Sequence, residues 1–130
     1  MDDHPFRGEE ILKEKGFSDE FRRAILSHAD HANVERINKL EKVLFACDEL
    51  AGFITAVALV RPSKSIDEVK VKSVKKKMKD KAFAKAVNRE ELTVSIEALG
   101  IELTQHVDIL VNGLIEHEKF LQEDGYSLFT

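Results

Sequence analysis

The chain has 130 residues, of which 43% are hydrophobic and 34% are charged, and its formal net charge is −4. This length and this apolar content fit one globular domain over residues 1–130 and exclude wholesale disorder. The single cysteine, Cys47, excludes an internal disulfide. The acidic N-terminal residues lack the basic and apolar regions of a secretory signal, so we expect a cytoplasmic protein with no membrane partner.

Helix start and stop signals recur along the chain. Gly16 follows a first predicted helix over 7–15, and Ser18 is placed as the N-cap of a second helix that runs to about residue 29. A long third helix is predicted over 34–60, because apolar residues recur there at three- and four-residue steps. These residues are Ile37, Leu40, Leu44, Cys47, Ala51, Ile54 and Ala58.

Capping boxes mark two further helix starts, since a side-chain oxygen and a carboxylate three residues later can satisfy the free amides there. The two boxes are Ser65 with Glu68, and Asn88 with Glu91. The helix after the second box is predicted to end at Gly100, and a final helix covers 103–124. No segment alternates convincingly as a strand, so the fold class is predicted to be all-α.

Asp48 is the most informative charged residue, because it lies on an otherwise apolar helix and shares a face with Leu44, Ala51 and Thr55. A buried, unpaired carboxylate would cost several kcal/mol, so a cationic partner is expected. Two interpretations stay open, a structural ion pair and a metal ligand. The adjacent Glu49 is turned by about 100° around the helix and is expected to face water.

Histidines supply a second group of candidates. His28 and His31 are spaced i and i+3, so two imidazoles could bind one divalent cation, or both could interact only with the dipole of the helix that ends there. His4 is uninformative by itself. His106 and His117 lack a metal-ligand spacing and are interpreted as surface or capping residues.

A basic segment covers residues 61–81, where nine basic residues and three acidic ones give a local charge of +6. It is either a solvated helical surface or an anion-binding face. The lysines occupy nearly every position around the predicted helix, and Phe83 is the only aromatic residue nearby. This distribution favours the solvated surface and does not favour nucleic acid as a partner.

Several blocks of the sequence, in this order along the chain, resemble a family of small HD-superfamily hydrolases. The blocks are AILSH (24–28), ACDELAGFITA (46–56), VRPSK (60–64), KVKSVKKKMKDKAFA (70–84) and VNRE (87–90). The resemblance extends over nearly the whole chain.

The resemblance implies an all-helical HD-domain-like bundle that holds divalent metal between its helices and hydrolyses phosphoester bonds. It assigns His4, His28 and Asp48 as metal ligands. Imidazole and carboxylate ligands suit manganese, iron, cobalt, nickel and zinc about equally, magnesium is a further candidate, and the identity of the cation stays open. The implied substrate is a nucleotide or another small phosphorylated compound. Its phosphate contacts are expected in the family-like segment, at Lys72, Lys75 and Arg89.

The chain departs from the family pattern at its start. The family's first histidine and its His-Asp doublet should precede His4, and the sequence contains no His-Asp dipeptide. The chain is therefore expected to be an N-terminally truncated HD domain, roughly its C-terminal two-thirds, with weak or no activity. Exposed apolar surface and a homo-oligomer are expected to follow. The alternative is a non-catalytic module that binds anions or nucleic acid through the basic segment 61–81.

Overall fold

The computed structural model describes residues 3–129, and these residues form six α-helices, two short 3-10 turns and no strand. The helices are α1 (Phe6–Glu14), α2 (Asp19–Ser27), α3 (Lys39–Leu59), α4 (Val71–Met78), α5 (Arg89–Leu99) and α6 (Leu103–Glu123), and the turns are Asp30–Ala32 and Ile66–Glu68. The all-α prediction is confirmed. No helix in this part of the chain has the length and apolar character that crossing a membrane requires.

Most helix ends form where the capping signals predict them. The Ser18 side chain accepts a hydrogen bond from the Phe21 N–H at 3.3 Å, which caps α2. Asn88 caps α5 in the same way by accepting from the Glu91 N–H at 3.2 Å. Gly100 ends α5 with a φ of 74°, a left-handed conformation that favours glycine.

The start of α3 differs from its prediction. The helix begins at Lys39 rather than near residue 34, because Asn38 and Glu41 form a capping box. The Asn38 side chain accepts from the Glu41 N–H at 2.9 Å, and the Glu41 carboxylate accepts from the Ile37 N–H at 2.7 Å. Ile37 therefore precedes the helix and is 62% exposed, so the predicted apolar stripe was wrong at this end.

The capping box at Ser65 and Glu68 does not start an α-helix. Ser65 accepts from the Asp67 N–H at 3.2 Å and begins only the second 3-10 turn. The Glu68 carboxylate accepts from the Ser63 hydroxyl at 2.8 Å and lies 3.6 Å from the Arg61 guanidinium. Because Glu68 contacts these neighbours, the reciprocal half of the box is missing, and α4 begins later, at Val71.

The described residues fall into two compact units, one up to Asp48 and one from Glu49 onward, and the boundary lies within α3. In the first unit α1 packs against α2, and Arg22 of α2 forms an ion pair with Glu9 of α1. No residue of α1 is buried. Large apolar side chains of this unit are exposed, namely Phe6, Ile11, Phe17, Phe21, Ile37 and Leu40. The homo-oligomer stays a prediction.

The second unit has its own hydrophobic core, and α4 and the second 3-10 turn pack against α6. The buried core residues are Leu50, Phe53, Ile54, Val57, Ala58, Ile66, Val69, Val74, Leu92, Ile96, Val107, Val111 and Phe129. His106 is only 2% exposed, so its interpretation as a surface residue was wrong, whereas His117 is exposed as expected. His106 precedes Val107 on the buried face of α6, and tertiary packing covers it.

Candidate metal centre

Two of the three predicted metal ligands lie next to each other in the first unit. His28 is the C-cap residue of α2, and His4 lies just before α1, so the packing of α1 against α2 brings both rings together. Their Nε2 atoms are 2.9 Å apart, and the ring centroids are 4.9 Å apart in an edge-to-face arrangement. His4 is exposed and His28 is half-buried, so the pair is open to solvent.

The orientation of the His28 ring is set by the end of α2. Its Nδ1–H donates a hydrogen bond to the Ile25 carbonyl oxygen, so in the neutral ring Nε2 carries the lone pair. An imidazole N–H held by a backbone carbonyl is the usual outer contact of a metal-binding histidine. His28 is thus oriented to offer Nε2 either to a cation or to the Nε2–H of His4.

The distance between the two Nε2 atoms suits both of these states. Two nitrogen ligands about 2.0 to 2.1 Å from a cation are about 2.9 Å apart at the right angle of an octahedral site and about 3.3 Å apart in a tetrahedral zinc site. The same separation suits an N–H···N hydrogen bond. Two imidazole nitrogens at this separation are a donor set that fits a divalent cation.

His31 supports this pair without joining it. It lies in the first 3-10 turn, and its Nε2–H donates to the His4 carbonyl oxygen. Its ring also contacts Phe6 edge to face, with centroids 6.0 Å apart. The imidazole that lies next to His28 is thus His4 rather than His31, which positions the backbone of His4.

Asp48 does not have the environment that the sequence predicts. It is exposed, whereas Ala46 and Leu50 on either side are buried and Glu49 is half-buried. The predicted burial of Asp48 was wrong, because the buried face of α3 is turned away from it. Within residues 3–129 no group of three histidine, cysteine or acidic side chains is placed to hold a metal ion, so Asp48 is not brought to the histidine pair.

Glu41 is a buried carboxylate of the first unit and was not predicted from the sequence. Its side chain is fully buried and forms an ion pair with Arg23, which also donates to the Glu35 carbonyl oxygen at 2.7 Å. Burial raises the pKa of Glu41, but the hydrogen bonds from Arg23 and from the Asn38 and Ile37 amides outweigh this effect and lower the pKa. The Asn38-x-x-Glu41 spacing was the signal that could have identified it.

The three predicted phosphate-contacting residues belong to the second unit and differ in their surroundings. Lys72 and Lys75 are exposed on α4, and the Lys75 Nζ donates to the Thr104 hydroxyl at 3.1 Å. Arg89 donates to the carbonyl oxygens of Ala84 at 2.6 Å and Val87 at 2.7 Å. The Arg89 guanidinium therefore holds the segment before α5, and this geometry favours a structural role for Arg89.

Comparisons of the chain with protein-family models, with curated proteins and with solved structures gave no match. The functional assignment therefore depends on the residues and their geometry.

Proposed function

We propose that the chain binds a divalent metal ion through His4 and His28, as part of an HD-type metal-dependent phosphohydrolase site. The observation that supports this proposal is the 2.9 Å separation of the two Nε2 atoms, with the His28 ring oriented by the Ile25 carbonyl oxygen. The order of His4, His28 and Asp48 along the chain, which resembles the order of ligands in the HD superfamily, supports it independently.

Two imidazoles are an incomplete ligand set, so the proposed site has open positions for water, for substrate and for further ligands. A bound divalent cation would supply polarisation of a phosphate oxygen and activation of water. His28 would hold its position through the end of α2, and His4 through the hydrogen bond from His31 to its carbonyl oxygen. We propose weak turnover of small phosphorylated substrates, since two imidazoles alone hold a divalent cation less firmly than a full ligand set.

The metal site is tested by elemental analysis and by titration of the chelator-treated protein with manganese and zinc. We expect near-stoichiometric binding by the parent chain and at least about tenfold weaker binding by His4→Ala and by His28→Ala. His117→Ala is the matched control, because His117 is an exposed histidine of α6 outside the pair. Metal binding that His4→Ala and His28→Ala leave unchanged would show that the pair is only a hydrogen bond.

The role of Asp48 needs its own measurement. If Asp48 reaches the metal, Asp48→Asn lowers the midpoint of thermal unfolding of the metal-loaded protein but not of the chelator-treated protein. Glu49→Gln removes the charge of the neighbouring residue and is the control. An equal loss for Asp48→Asn with and without metal would show that Asp48 stabilises the fold independently of metal.

Hydrolysis is tested last, with p-nitrophenyl phosphate and nucleotides in the presence of manganese. We expect slow release of phosphate that His28→Ala abolishes and His117→Ala does not change. Stoichiometric metal without any phosphate release would refute the phosphohydrolase part of the proposal and leave the metal centre intact.

A further inference from the structure

Four lysines of the basic segment follow one stripe of α4. They are Lys72, Lys75, Lys76 and Lys79, at positions i, i+3, i+4 and i+7, and all four are exposed. Residues at these spacings lie on the same face of a helix. The prediction that lysines occupy nearly every position around the helix was therefore wrong for α4, because Val74 is buried and Lys77 and Met78 are half-buried.

These four lysines line one open groove of about 600 Å³ with Val71 and Thr104. Among the residues that the structure describes, none that lines this groove is acidic or aromatic. The hydrogen bond from the Lys75 Nζ to the Thr104 hydroxyl of α6, at 3.1 Å, fixes the position of one ammonium group. The groove is thus a positively charged surface.

The four ammonium groups have no carboxylate partner within ion-pair distance among residues 3–129. Lys77, by contrast, lies 3.7 Å from the Asp80 carboxylate and 4.7 Å from the centre of the Phe83 ring. Like charges three and four residues apart destabilise a helix by about 0.2 to 0.5 kcal/mol per pair. An anionic partner would remove this repulsion.

The basic surface continues beyond the first groove. A second groove of about 460 Å³ shares Lys79 with the first and adds Lys81 and Lys85, with Glu90 as the one acidic residue in its lining. The stripe from Lys72 to Lys79 spans about 10 Å along the helix axis. A row of cations that passes from one groove into the next suits an extended polyanion better than a single phosphate group.

We infer that the lysine stripe on α4 binds duplex nucleic acid through the phosphate backbone. Ammonium groups act as point charges that neutralise phosphates without reading bases. Single strands are bound mainly by stacking of bases on aromatic side chains, and neither groove is lined by an aromatic residue. None of the large exposed apolar residues belongs to α4, so an anionic membrane surface is a poorer match.

The test is fluorescence anisotropy of a labelled duplex of about 20 base pairs, titrated with the chain at several salt concentrations. Four phosphate contacts predict that affinity falls about a hundredfold between about 50 and about 200 mM salt. The quadruple variant K72Q/K75Q/K76Q/K79Q is expected to bind at least about tenfold more weakly at the lower salt concentration. The single variants K76Q and K79Q should each reduce the slope of log affinity against log salt by about one.

The matched control is K13Q/K15Q/K39Q/K119Q, which removes the same charge from exposed lysines elsewhere and is expected to keep most of the affinity. Glutamine has nearly the helix propensity of lysine, and circular dichroism checks that the variants fold. Equal weakening by both quadruple variants, absence of binding even at about 25 mM salt, or tighter binding of a single strand would each overturn the inference. This inference is independent of the metal centre, since it uses none of the same residues.

Discussion

Glu41→Gln is expected to destabilise the first unit strongly. The Glu41 carboxylate is fully buried, pairs with Arg23 and accepts hydrogen bonds from the Ile37 and Asn38 amides. Removing one partner from a buried ion pair costs about 3 to 5 kcal/mol, because the other charge is left without compensation. The Arg23 side chain is 35% exposed and can be partly hydrated, so we expect a loss of about 2 kcal/mol.

The contacts of the Glu41 carboxylate also predict the direction in which the free energy of unfolding changes with pH. The folded state lowers the pKa of Glu41 below its ordinary value of 4.5. A lowered carboxylate pKa contributes stability that is complete above the ordinary value and is lost as the pH falls through the folded pKa. The difference in the free energy of unfolding between the parent chain and Glu41→Gln should therefore be largest near neutral pH and shrink below 4.5.

Urea denaturation followed by circular dichroism, at neutral pH and in acid, measures this difference. Glu10→Gln is the matched control, because Glu10 is an exposed acidic residue of α1 and its substitution should change stability by less than about 0.5 kcal/mol. A loss for Glu41→Gln that equals the control, or that stays the same in acid, would refute the assignment of Glu41 as a charged buried cap of α3.

Two further stability predictions concern the second unit. Glu118 accepts hydrogen bonds from the Ser127 hydroxyl at 2.6 Å and the Leu128 N–H at 2.9 Å, and these contacts lower the pKa of Glu118. Glu118→Gln should therefore lower the free energy of unfolding by about 1 to 2 kcal/mol and speed hydrogen exchange at the Leu128 amide. Unchanged exchange at this amide would contradict the prediction. Gly100→Ala should lower the free energy of unfolding by about 1 kcal/mol, because φ is 74° at this position. Gly113→Ala in α6 should raise it by about 0.5 to 1 kcal/mol, because an added Cβ meets nothing within 4 Å outside its own helix turn. Thermal unfolding of both variants tests whether the two changes have opposite signs.

The helices could be predicted from sequence where local signals act alone. Ser18, Asn88 and Gly100 cap helices in the structure as predicted, because each interaction involves only residues within one turn. Ser65 shows the limit of such signals. Its capping box competes with contacts from Glu68 to Ser63 and Arg61, and the relative strength of these contacts is not encoded in the spacing.

The long third helix shows a different limit. Its apolar residues are so numerous that several stripes fit the sequence, and burial decides among them only through tertiary packing. The observed buried face of α3 includes Phe45, Leu50, Phe53 and Val57. Asp48 lies off that face, and helical spacing alone could not predict its exposure. The position of Glu41 three residues after Asn38 indicates a capping box, but the burial of Glu41 depends on tertiary packing.

The two candidate sites also differ in how far local sequence signals predict them. No sequence spacing connects His4 with His28, which are 24 residues apart, and only the resemblance to HD-type hydrolases predicted them as members of one site. The lysine stripe could be predicted once the buried face of α4 was known, and the buried Val74 marks that face. Because the histidine pair and the stripe belong to different units, metal titration and duplex binding are separate tests. A chain that binds duplex but no metal would favour the non-catalytic alternative, and a chain that binds metal and releases phosphate but binds no duplex would favour the phosphohydrolase.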